Sequence, residues 1–535
     1  MDKSVQAMDV KNPVDQLTCK EEQLATVSFG LAFAALSILT LMSALDATSL
    51  SIALPRISQT LNTTAIEAFW GGTSFLLCSS VFQPIFTAFS HIFGRKSMIL
   101  ISVVLFFVGA LVGSQAQNAV HFLVSRSVQG VGGGGIIALT EIVVTDMVPL
   151  RDRGRWFGIL RGALVQRSTW RWLFYINFPF IGLGLIFVVI FLRFKSLSSN
   201  WRSKLARVDW AGSVIFIASS SAFLIPLSWG GIMYSWSSWH TVVPLVVGAV
   251  GIVVFGFYEK HVAVEPIVRL SIFKTCTAII SYLGTILHGM ILWCVLYYMP
   301  LYFEGVKGYT PILSGLSCLP MTFTVAPAAG VVGIIIAVTG RYRHTIWVGW
   351  TFSTLGLGLL YLLDVHTPIA LWVCVMIVGG TGLGILFPSM AFAIQGSAVD
   401  ADVAYAIGMF SFFRAFGQTV GVAVGGVIFQ NRMRIELQKY PKFAPLAAGY
   451  VQDATALVEI IKSMSDSVEK SNLKQAYADG LKPVWATCCG LAGIGLVLSS
   501  WTKAYSLDRG LVTEQAFQHR KLRAGRSRHE IAQLA

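Results

Sequence analysis

Apolar runs of membrane-spanning length recur along almost the whole chain, separated by short polar turns. They lie near 27–55, 68–90, 97–114, 118–148, 173–195, 210–229, 241–258, 276–303, 310–338, 345–363, 369–394, 403–429 and 482–502. About 20 apolar residues are needed to cross about 30 Å of hydrocarbon as a helix, so the pattern predicts thirteen clear spans. All are expected to be helices, because hydrocarbon offers no partner to unpaired backbone groups and the runs are far longer than barrel strands. A basic turn, Gly94-Arg95-Lys96, sits between two of these runs and is echoed as Gly340-Arg341-Tyr342-Arg343 between two others. Repetition of one hinge predicts two related bundles, the common plan of secondary transporters.

Charge then orients the helices. Arg95 and Lys96, the segment holding Arg151, Arg153 and Arg155, the loop 193–207, the loop 260–274, and Arg341 with Arg343 are basic, whereas 114–117, 230–240 and 364–368 hold no Lys or Arg. The basic set is predicted to be cytoplasmic. The loop 430–481 is long and mixed in sign; long loops cross regardless of charge, so it is placed outside. Asn62-Thr63-Thr64 is a glycosylation sequon on an external loop. The alternation leaves one fault: 151–155 and 193–207 both belong on the cytoplasmic side, yet one clear span separates them. The segment between Trp156 and Val165, interrupted by Arg161, is the candidate for the missing crossing. Either it forms a short, deformed span or residues have been lost from the chain.

Composition supports this class. The chain has 535 residues, 55% hydrophobic and 12% charged, with a net charge of +14. Its basic residues lie in loops between apolar runs, which argues against a nucleic-acid partner. The eight cysteines show no metal spacing and read as small packing residues, and the first 25 residues carry no signal-peptide pattern. No acid, base and nucleophile set suggests an enzyme, and no cofactor or metal is expected.

A few polar residues inside the runs carry the candidate chemistry. Asp46 lies deep in the first run, where a carboxylate costs about 2.5–3.5 kcal/mol even on a lenient insertion scale. Arg126 lies about eight residues into the fourth run, at a similar depth. If those spans are neighbours, protonation of Asp46 would release Arg126, the physics of a proton-driven switch. Glu141 is a second intramembrane carboxylate, open to reading as a proton or cation site or as a helix-paired residue; Arg414 is the C-terminal half's counterpart charge, candidate to face a central cavity. Gly130 and Gly134, within a glycine-rich stretch, and Gly417, Gly421 and Gly425 predict close helix approach. Phe75, Gln83, Trp293 and Tyr297 are candidates to line an amphipathic pocket.

These residues resemble the major facilitator superfamily, specifically its fungal fourteen-span drug:proton antiporter branch. The resemblance rests on LDATSLSIALP at 45–55, IFGRK at 92–96, RSVQGVGGGG at 126–135, DMVPLRDRGRWFGIL at 146–160, STWRWLFYINFPF at 168–180 and FRAFGQTVGVAVGG at 413–426. It implies an all-α integral membrane fold of two helix bundles around a central cavity. The corresponding divisions are a cytoplasmic tail (1–26), a first bundle (27–195), a linker with two extra spans (196–275), a second bundle (276–502) and a basic tail (503–535). It further implies alternating access, proton coupling at Asp46 and Arg126, and a cytoplasmic latch built from His91, Gly94, Arg95, Lys96, Asp146 and Arg153. Two departures stand out. Thr87 and His91 replace the latch motif's leading glycine and its acidic or amide position, predicting a weakened latch. The glycine- and proline-rich motif of the fifth span is absent, since Ile159-Leu160 run almost directly into Ser168-Thr169-Trp170. The expected function is proton-coupled efflux of a small amphipathic molecule by a monomer in the cell membrane. A nutrient importer and a transport-impaired, receptor-like remnant are the alternatives.

Overall fold

A computed structural model describes residues 30–47, 57, 60–61, 65–147, 150, 172–192, 200–231, 233–452 and 454–508. Asn62, Arg153 and the candidate crossing at 156–165 lie outside the described residues. Among those described, the regular structure is helical, with one isolated bridge between Gly230 and Tyr234. The longer helices are α1 (Gly30–Ala47), α2 (Ala65–Phe93), α3 (Arg95–Ser114), α4 (Ala119–Met147) and α5 (Asn177–Phe191), followed by α6 (Trp210–Trp229) and α7 (Trp239–His261). The second half holds α8 (Cys276–Leu301), α9 (Leu319–Thr339), α10 (Arg343–Leu359), α11 (Ile369–Ser397), α12 (Val403–Gln438), α13 (Ala454–Ser463) and α14 (Val468–Ser499).

Twelve described helices are long and apolar enough to cross a membrane. The run at 173–195 is the exception among the thirteen expected. It breaks into a short helix, Trp172–Tyr175, and the 15-residue α5, about 22 Å long at 1.5 Å per residue. The region 430–481 also departs from a loop. Helix α12 continues to Gln438, α14 begins at Val468, and α13 folds between them with Leu457, Val458 and Ile461 buried. Lys462 on α13 pairs at 3.0 Å with Glu304, which sits in a wider π-type turn, Tyr302–Val306, at the end of α8.

Helices α2, α3 and α4 form the tightest group of the first half, while α8, α10, α11, α12 and α14 interlock in the second. Glycines set the closest approaches. A Cβ at Gly130 or Gly134 would overlap the backbone of Phe75 or Ser79 on α2, and one at Gly417 or Gly421 that of Ile286 or Met290 on α8. At Gly425 it would meet the side chains of Tyr298 and Cys294. The halves meet where α12 packs against α2 and α4. Helix α6 spans the same seam. Trp229 and Trp210 meet Trp70 and Phe89 of α2, and Phe216 and Phe223 meet Phe412 and Phe416 of α12. Helix α7 packs on α6 and otherwise exposes a valine-rich face.

Candidate functional site

Asp46, one residue from the described end of α1, is 4% exposed. Arg126 of α4 donates from Nη1 to Asp46 Oδ2 at 2.5 Å and to Gln129 Oε1 at 2.7 Å, and from Nε to the Gly71 carbonyl at 3.2 Å. The other carboxylate oxygen, Oδ1, accepts from Gln129 Nε2 at 2.8 Å and from Asn177 Nδ2 at 2.9 Å. The guanidinium lies 4.5 Å from the centroid of Phe75. Helical spacing explains the local arrangement: Arg126 and Gln129 are three residues apart and share a face of α4, and α5 presents Asn177 at its first turn. A buried ion pair gains stability as its remaining donors and acceptors are met. Here one donor, Arg126 Nη2, is buried without a hydrogen-bond partner among the described residues. Adding a proton to Asp46 would cancel the charge that holds Arg126, Gln129 and Asn177 in one cluster.

Glu141 and Arg414 form a second buried pair, Oε1 to Nη2 at 3.1 Å, and Ser411 donates its hydroxyl to Glu141 Oε2. These partners belong to α4 and α12, so the contact crosses between the halves. Arg414 thus sits against an acid of the other half and over the rings of Phe387 and Phe410, at 4.7 and 5.6 Å.

A third cluster lies at the end that the charge rule assigns to the cytoplasm. Gly94, with φ of 96°, turns the chain between α2 and α3 in a conformation other residues rarely adopt. Arg95 Nε then reaches Asp146 Oδ2 at 2.9 Å, with its other nitrogens on the Ser90 hydroxyl and, at 3.4 Å, the His91 ring. Lys96 reaches the Val189 carbonyl of α5 at 2.8 Å. The imidazole of His91 stacks on Tyr405 of α12, 4.2 Å between centroids and 4° between planes. Arg269 covers the same tyrosine at 4.2 Å while pairing with Asp402 at 2.8 Å. The cluster therefore joins both halves. At the echoed turn, by contrast, Tyr342 bonds the chain that follows α14 through Lys503 and Tyr505.

We expect Asp146→Asn to strand the buried Arg95 charge, a change of about 3–5 kcal/mol for a broken buried pair. Hydrogen exchange should then rise through residues 85–95. Unchanged protection there would remove Asp146 from the closure.

The aromatic and amide candidates are packed rather than arrayed around an open cavity. Phe75 lies under Arg126, Trp293 and Tyr297 have ring centroids 6.0 Å apart, and Gln83 is 1% exposed with Oε1 unpartnered among the described residues. A small pocket lined by Met290, Cys294, Gly421, Thr487, Cys488 and Leu491 lies elsewhere, among α8, α12 and α14. Gln129, Asn177, Ser411 and Tyr405 escaped the sequence reading. The first two carried a signal, amides inside apolar runs; the last two carried none.

Comparison with known proteins agrees with this architecture. The family model described as Major Facilitator Superfamily matches residues 36–422. The chain is 50% identical over 506 residues to the "MFS transporter L2" of a Phoma species, covering 92% of this chain and 85% of that protein. It is 35% identical to the "MFS-type efflux pump LUC4" of a Fusarium species, covering 94% of this chain and 92% of that one. Identity to the "Efflux pump FUS6" of Gibberella fujikuroi is 34%, covering 92% of each. Among solved structures, the proton:xylose symporter XylE bound to 6-bromo-6-deoxy-D-glucose aligns with a TM-score of 0.54 at 13% identity, over 90% of this chain and 98% of that one. That likeness concerns the fold.

Proposed function

This chain belongs to the Major Facilitator Superfamily and is a multi-pass membrane transporter, not an enzyme; on that premise we propose that it couples proton entry to export of a small amphipathic molecule. The observation that carries the proposal is the buried Asp46–Arg126 pair, with Gln129 and Asn177 completing the carboxylate's shell. An acid held by a cation in hydrocarbon has two states of very different cost, and a proton selects between them. Glu141 is a second acid placed to respond, since its partner lies across the seam. The latch around Arg95 and the stacked His91–Tyr405 pair would hold one end shut while the other opens. Several relatives are named efflux pumps, which favours export, and the cell membrane is the expected site of action.

The test uses purified protein in liposomes with a fluorescent amphiphile and an imposed pH gradient. Export coupled to protons predicts that amphiphile and protons move in opposite directions, and that a protonophore stops both. Movement in the same direction would support the importer reading instead, and movement indifferent to the gradient would reject coupling. In the same assay, Arg126→Ala should abolish gradient-driven flux while protein remains in the membrane; wild-type flux would take the pair out of the mechanism.

A transport-impaired chain is a second reading, favoured by the sequence gap where Leu160 runs almost directly into Ser168-Thr169-Trp170. Lengthening the segment before α5 by two helical turns of apolar residues distinguishes them: a gain in flux supports a functional pump with a shortened span, and none supports impairment.

A further inference from the structure

The two intramembrane ion pairs differ in what a swing of the halves does to them. Every partner of Asp46 described above belongs to the first half: Arg126 and Gln129 on α4, Asn177 on α5. Relative motion of the halves leaves that cluster whole. The pair between Glu141 and Arg414 joins residues 273 apart in sequence, on α4 and α12, and separation of those helices pulls it open. A guanidinium only 6% exposed would then lose its carboxylate in a dry site. That is a costly state unless another acceptor arrives.

The surroundings of Arg414 say what would fit. Its Nε is buried and has no hydrogen-bond partner among the described residues. With Nε open and one Nη held by Glu141, the donor edge is half used. Such an edge matches a carboxylate or enolate oxygen pair in plane. The guanidinium lies over the rings of Phe387 and Phe410, an apolar wall that a flat hydrophobic body would extend. Ser411, one turn away on the same helix, already donates to the resident carboxylate and would donate equally to an incoming one.

We propose that Arg414 is a substrate-recognition residue that receives the acidic oxygen of a planar amphipathic anion, with Glu141 as the internal carboxylate that occupies the place between transport events. The inference deepens the transport reading and names its substrate class; it rests on that reading only for the direction of movement.

Binding is measured on the full chain in lipid nanodiscs, without a gradient, by fluorescence of pyrenebutyrate and of its methyl ester. Wild type should hold the acid about 10-fold or more tighter than the ester, the scale of one charge-assisted hydrogen bond. Arg414→Gln should erase that preference, Arg414→Lys should keep part of it, and Glu141→Gln should strengthen acid binding by removing the competitor. Opposite shifts from the two partners of one ion pair are not expected of a merely structural contact. Equal binding of acid and ester to wild type, no binding of either, or a preference that survives Arg414→Gln would each overturn the proposal. Should Arg414→Gln fail to fold, the signs of the Glu141→Gln and Arg414→Lys shifts decide alone. Acid selectivity without gradient-driven flux would sink the efflux reading and leave this one standing; flux without acid selectivity would do the reverse.

Discussion

Asp46→Asn is expected to reduce proton-driven efflux by about 100-fold or more while leaving the protein folded in the membrane. Asparagine matches the carboxylate in size and can still accept from Gln129 or Asn177 through its single carbonyl oxygen. It cannot gain or lose a proton in the working pH range, and it offers Arg126 no charge. A 100-fold loss corresponds to about 2.7 kcal/mol on the barrier, since about 1.4 kcal/mol is a factor of ten in rate. The measurement is gradient-driven export from liposomes, normalised to protein content. Efflux that keeps its wild-type pH dependence in this variant would remove Asp46 from the coupling step.

The second large effect concerns packing rather than charge. Replacing Gly134 or Gly417 by leucine would drive a side chain into the backbone of Ser79 or Ile286, which cannot rotate away. Overpacking a close-packed core typically costs about 1–3 kcal/mol, occasionally more. Backbone-to-backbone seams belong at the upper end, so both variants should lose most of their folded protein in the membrane. Gly493 of α14 provides the contrast, because a Cβ there meets nothing within 4 Å. Gly493→Ala should fold as wild type or slightly better, since alanine is about 1 kcal/mol better in helices. Thermal unfolding in detergent checks all three; equal midpoints would show that the glycine faces do not set helix spacing.

These expectations show which physical signals the sequence carries. The long spans were readable because hydrocarbon imposes both a minimum length and an apolar composition. Asp46 and Arg126 stood out for the same reason, as charges where charges are expensive. The π-type turn at Tyr302–Val306 and the helical course of 430–481 were not readable, because no solvent constraint outside the hydrocarbon forces an apolar run. Helix α13 buries Leu457, Val458 and Ile461 on one face, a local pattern that the mixed charge around it obscures. The run at 173–195 departs in the other direction: it holds Asn177 among apolar residues, and its helix breaks between Tyr175 and Asn177. Pairing of Glu141 with Arg414, and of His91 with Tyr405, depends on how two halves dock. Hydropathy is blind to that.

The placement of α6 carries a consequence for how far the molecule can move. Its two end tryptophans grip α2, and its two middle phenylalanines lie against α12. A rigid rod seated on two bodies cannot stay seated on both as they tilt apart; it has to roll along one of them. Flat ring-on-ring contact between Phe223 and Phe416, 15° from parallel, slides more readily than interlocked ridges would. If the halves swing as proposed, α6 would serve as a bearing between α2 and α12, and bulkier rings at 223 or 416 are expected to shorten the stroke before they weaken the fold.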